Sequence, residues 1–201
     1  MRLPKTWFLP HNPDVLGLLR DQADTVGDLL TALAGWARGL PTGGELHTPL
    51  LVQSPERRHV LLAVREAFST PIEAEDVFEL AERLGEIADA AYMLVRESDL
   101  SRTPPDDHLT AMVLTVVTAF DMLHKALDTL PHNEAAGEAD AALSTLEAAE
   151  HAYRRAIAGL ETEPDPRREM RLRELYRRAE HLALAVQRLG RRTWYAVCKI
   201  S

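Results

Sequence analysis

Apolar residues recur at steps of three and four along almost the whole of this chain. Leu16, Leu19, Ala23, Val26, Leu30 and Leu33 make one series; Leu109, Val113, Val116, Phe120, Leu123, Leu127 and Leu130 make another. Leu146, Ala149, Tyr153, Ala156 and Leu160 repeat the spacing. Such a series lays one apolar stripe along a helix, and the stripe must find a partner out of water. Strand-type alternation is hard to find. Turn-rich segments, "LPTGGELHTP" (40–49), "DLSRTPPDD" (99–107) and "LPHNEAAGE" (130–138), separate the stripes. The pattern predicts an all-α fold of six helices, at roughly 12–39, 51–68, 71–98, 107–130, 135–160 and 166–198.

Two of these helices share a register. Val77, Leu80, Leu84, Ile87, Ala91 and Leu94 form the seam of the third. A shift of 95 residues carries them onto Leu172, Leu175, Ala179, Leu182, Val186 and Leu189, the seam of the sixth. The helix starts match under the same shift. Thr70 and Pro71 map onto Asp165 and Pro166, and Thr70 with Glu73 reads as a capping box with proline at the first helical position. The expectation is one domain built from two copies of a three-helix unit, about 12–98 and 107–198.

Composition narrows the functional classes. The residues are 46% hydrophobic but only 5% aromatic, an Ala/Leu-rich balance suited to helices. The single cysteine, Cys198, excludes an internal disulfide and suits a reducing compartment. The start, "MRLPKTWFLPHNP", has no apolar run of signal-peptide length, and "AMVLTVVTAF" (111–120) is too short to span a bilayer. The expected location is cytoplasmic, peripheral to a membrane at most. Net charge is −8, divided unevenly: residues 161–201 carry +4 and the first 160 carry −12. An acidic whole argues against a nucleic-acid binder, whose affinity rests on neutralising phosphates. No Gly-rich phosphate loop, H-E-x-x-H or G-x-S-x-G occurs, so no enzyme class is indicated.

The segment "AFSTPIEAEDVFELAERLGEIADA" (67–90) resembles the one that follows the second helix in PhoU-like proteins, of the compact branch associated with phosphate transport. Phe68, Thr70, Pro71, Glu75 and Asp76 match that pattern, and "AYRRAIAGL" (152–160) is similar to the corresponding helix of the second half. The resemblance implies a six-helix PhoU-like bundle and a non-enzymatic, regulatory role. Its partner would be a membrane phosphate transporter, including the Pit type, met at the cytoplasmic face. It also implies carboxylate-x-x-x-Asp metal motifs on the second and third helices of each half, and here the chain departs. The first motif falls on Leu50 and Ser54, the next on Gly85 and Asp89, then Leu146 and Glu150, then Glu180 and Leu184. None is complete, so the expectation is no cofactor and at most weak binding of a divalent or transition metal.

The survivors and their neighbours are the candidate ligands: Glu86 and Asp89 in the first half, and Glu147, Glu150, His151, Glu180 and His181 in the second. Seam register points Gly85, Asp89, Glu180 and Leu184 outward, onto a surface. A competing di-iron reading of Glu56 with His59 and Asp121 with His124 fails because such ligands must enter the bundle core. His59 lies off the stripe of Leu61, Val64 and Phe68, and Asp121 lies off that of Phe120 and Leu123. Trp36, Tyr153 and Trp194 are expected as core or interface fillers.

Partner-facing candidates are Arg167, Arg168 and Arg171 on the arginine-rich sixth helix, for an acidic transporter loop, and Leu184, an outward apolar residue suited to homo-oligomer contact. The other arginines of that helix are expected to pair with Glu169, Glu174 and Glu180 or with the acidic helices alongside. Two alternatives stand beside the regulatory reading. One is a metal-binding bundle using the second-half carboxylate and histidine cluster; the other is a helical interaction module without a phosphate connection.

Overall fold

The structure is a computed structural model that describes residues 12–41, 46 and 53–199, apart from the side chains of Gln53, Ser54 and Glu56. Six helices follow in order: α1 (Val15–Ala37), α2 (Gln53–Glu66), α3 (Ala74–Ser101), α4 (Asp107–Thr129), α5 (Glu134–Gly159) and α6 (Pro166–Cys198). No strand occurs among the described residues. Helices α1, α2 and α3 all touch one another, as do α4, α5 and α6, and the pairs α1–α4 and α3–α6 join the two groups.

Periodicity located the core. All six seam residues of α3 are completely buried, and those of α6 are at most 4% exposed. The α1 and α4 series are buried along their whole lengths. By length and composition α4 could cross a membrane, with mean hydropathy 1.3. Its apolar residues are instead spent inside the protein: Leu109, Val113, Val116, Phe120, Leu123 and Leu127 pack against α1, α5 and α6. Polar ties fix the helices in depth. The buried Gln22 side chain donates to the Ala81 carbonyl across α1 and α3, and Thr110 Oγ1 donates to Ala37 O at the end of α1.

The caps correct one expectation. Asp165 caps α6 as anticipated, accepting from Arg167 N at 2.9 Å with Pro166 at the first helical position. Thr70 and Pro71 do not start α3. The helix begins three residues later, at Ala74, with Glu73 as its N-cap residue and no side-chain cap. The cause is Ile72, which is buried in the core while its carbonyl accepts from Thr70 Oγ1. Burying Ile72 bends the chain at 71–72 and removes Thr70 from the capping position. Asn12 then braces the α2–α3 loop, accepting from Phe68 N and donating to Ser69 O.

The stripe of α2 also differs. Val60 and Ala63 are the buried residues, Leu61 and Val64 are half-buried, and Phe68 is 87% exposed. Because α2 ends at Glu66, Phe68 falls in the loop and cannot extend the helix's apolar face.

Candidate functional site

Shallow clefts, and an ion cluster built around the buried Asp76, gather the polar residues of α3, α5 and α6. The first cleft, about 300 Å³, lies between α3 and α6 and is lined by Glu86, Asp89, Met93, Arg178, His181 and Arg188. It brings together Glu86, Asp89 and His181, which the sequence had assigned to different halves. Glu86 is already held by Arg83 at 2.6 Å and by Arg188 at 3.2 Å. Asp89 is half-buried rather than fully outward, and its Oδ1 is buried without a hydrogen-bond partner. Burial pushes the Asp89 carboxyl above its ordinary range, Arg57 opposes that rise and Glu86 adds to it. Two guanidiniums in the same cleft repel a divalent cation, so the electrostatics oppose a metal here.

A second groove, about 310 Å³, runs between α5 and α6 past Leu146, Glu147, Glu150, Glu180, Leu184, Gln187 and Arg191. Three expected ligands therefore share one groove, Glu147 and Glu150 on its α5 wall and Glu180 on its α6 wall. His151 is exposed and lines neither cleft; His181 lines the cleft against α3 and also a smaller surface hollow of about 230 Å³ beside Glu180, Leu184, Arg177 and Arg178. Glu150 is engaged by Arg154, and Glu180 meets the Tyr153 hydroxyl. The Tyr153 hydroxyl is raised above its usual range, first by burial and then by that carboxylate. Among the described residues no group of three or more His, Cys, Asp or Glu side chains is placed to hold a metal ion. The motif position at Leu50 and the Ser54 side chain lie outside the described residues.

Sequence reasoning missed the cluster at the start of α3. Asp76 has no solvent exposure, and Arg192 approaches it at 2.5 Å and Lys199 at 3.2 Å. Lys199 also reaches Glu73, and Arg192 lies 3.8 Å from Glu75. The Tyr195 ring sits under both cations, 5.2 Å from the Arg192 guanidinium and 5.1 Å from Lys199 Nζ. Bonding to Glu73, foremost, raises the Lys199 ammonium above its usual range despite some desolvation. A signal existed: Asp76 precedes Leu80 by four residues, and so lies in register with the seam.

The arginines of α6 divide as expected between their own helix and α3. Arg173 pairs with Glu169, and Arg177 and Arg178 share Glu174. Arg188 and Arg192 bridge to α3, through Glu86 and Asp76. Glu180 departs from the expectation: it lies beside the Tyr153 hydroxyl and forms no ion pair with an arginine among the described residues. Arg168 reaches Glu163 at 3.1 Å, and Arg171 lies 4.0 Å from Asp165. Leu184 is exposed as its register implied; Trp194, expected as a core or interface filler, is 41% exposed and so is not part of the core. Asp121 and His59 point outward, and His124 is occupied by Asp24 at 2.7 Å, so the di-iron arrangement is absent among the described side chains.

No protein-family model matches the sequence, and no curated protein is similar to it. Solved structures are. A PhoU-like protein from Shewanella oneidensis MR-1 superposes with a TM-score of 0.66 at 18% identity, covering 92% of this chain and 100% of that one. A PhoU-like phosphate regulatory protein from the same organism gives 0.65, with the same identity and coverage. The six helices, their order and their packing are therefore those of the PhoU-like fold.

Proposed function

We propose that this chain is a non-enzymatic accessory protein of phosphate transport, acting as a helical adaptor at the cytoplasmic face of a membrane phosphate transporter. The observation that carries the reading is its likeness to a phosphate regulatory protein over the whole of that protein's chain. The character of the surface supports it. The ionisable groups of α3 and α6 are tied into ion pairs along helix faces, and the clefts between helices are shallow and polar. Such a molecule offers faces to a partner.

The face assigned to the transporter is the first two turns of α6. Arg167, Arg168 and Arg171 are exposed there, and Arg167 forms no ion pair among the described residues. An acidic cytoplasmic loop would be drawn to this end over about 10 Å at ordinary salt and less at high salt. The test is co-purification with a co-encoded phosphate transporter, comparing the wild type with a variant carrying Arg167→Glu, Arg168→Glu and Arg171→Glu. Recovery of the transporter with the wild type, and severalfold loss with the variant at low salt, is expected. Equal recovery of both at every salt concentration would remove this face from the contact.

A further inference from the structure

We infer that the edge of α6 bordering the α5 groove is a self-association surface, joining two copies of this chain antiparallel about a two-fold axis. Leu184 and Trp194 are large apolar residues left 44% and 41% exposed. Along α6 the sequence Leu184, Gln187, Arg191, Trp194 advances by three, four and three, which places all four on one edge, about 15 Å from end to end. That spacing is the one by which a helix meets another helix. Tyr195 does not belong to this edge, since Arg192 and Lys199 occupy its ring.

The charges beside the edge point to the occupant. Arg191 forms no ion pair among the described residues, although it lines the same groove as Glu147 and Glu150. Glu147 also has no ion-pair partner there, while Glu150 is taken by Arg154. An unpaired cation and an unpaired carboxylate flanking one apolar stripe carry both halves of a complementary contact, which is what a two-fold interface requires. An axis crossing α6 level with Leu189 sets Leu184 of one copy against Trp194 of the second. The same axis sets Gln187 against Arg191, and brings each Arg191 toward Glu147 of the other copy. Arg167, Arg168 and Arg171 lie toward the other end of α6, so the contact leaves them free. The inference does not depend on the transport reading.

Sedimentation equilibrium of the full chain tests it, with circular dichroism confirming that each variant remains helical. The wild type is expected to dimerise, and Leu184→Glu to weaken the dimer at least about tenfold, as expected for burying a charge in place of an apolar anchor. Arg191→Glu and Glu147→Arg place like charges across the axis, so each alone should associate weakly. An equimolar mixture of those two variants restores both opposite-charge pairs and should form a heterodimer close to wild-type affinity. A wild type that stays monomeric at high micromolar concentration, an assembly other than a dimer, a dimer indifferent to Leu184→Glu, or a mixture no tighter than its components would overturn the inference.

Discussion

Replacing Asp76 with alanine is expected to remove about 3 kcal/mol of folding stability, among the largest losses available to any polar substitution in the chain. The carboxylate is fully buried, and the Arg192 side chain that meets it at 2.5 Å is only 20% exposed. Removing the carboxylate leaves a largely desolvated guanidinium with only the exposed Glu75, 3.8 Å away, to offset its charge, and its Nε is already buried without a hydrogen-bond acceptor. Asp76 also stands in the first turn of α3, where a negative charge is favoured by the helix dipole. Glu75 supplies the control. Its side chain is 76% exposed and 3.8 Å from the same arginine, so Glu75→Ala should cost less than about 1 kcal/mol. Urea unfolding at constant m-value separates the two. Equal, small losses from both variants would mean that the buried pair does not hold the end of α6 to the start of α3.

Truncating Phe120 to alanine is expected to cost about 4 kcal/mol, because the ring is removed from a site that no solvent reaches. Phe120 lies on α4, which touches α1, α5 and α6. On one side the ring faces Gly27 of α1, where an added Cβ would sit 3.7 Å from it. On another it stacks on His124, with ring centroids 6.2 Å apart. Neighbours fixed on rigid helices cannot collapse into the space, so the cavity term adds to the lost burial. Against a total stability of about 5–15 kcal/mol this is a large fraction, and the midpoint of urea unfolding should fall accordingly. Phe120→Leu, which keeps most of the volume, should cost about 1.5 kcal/mol or less. A loss below about 1 kcal/mol for the alanine variant would place the helix junction elsewhere than at this ring.

The helices were legible because their information is periodic and local. Val77 to Leu94 and Leu172 to Leu189 each announce a buried face, and both are buried. Starts and ends were less legible where tertiary packing competes with a local signal. Asp165–Pro166 caps α6 because nothing nearby in the chain is drawn into the core, whereas Thr70–Pro71 loses its role to the burial of Ile72. Phe68 looked like a stripe residue only while α2 was assumed to reach it.

The candidate sites were half legible for a related reason. Register shows which way a side chain leaves its own helix but not which helix lies opposite. Leu184 could be placed outward from α6 alone. That Glu86 and Asp89 share a cleft with His181, or that Asp76 meets Arg192 and Lys199, depends on α3 lying against α6, more than 90 residues away in the chain. Pairing across such a distance leaves no trace in spacing.

The proposed role is tested most directly by uptake of radiolabelled phosphate in cells with and without this gene, the transporter being held at equal abundance. The account predicts that uptake changes when the gene is deleted. It should return to the original rate with a wild-type copy, and fail to do so with the copy carrying glutamate at 167, 168 and 171. Uptake that is the same with and without the gene, in phosphate-poor and phosphate-rich medium alike, would contradict it.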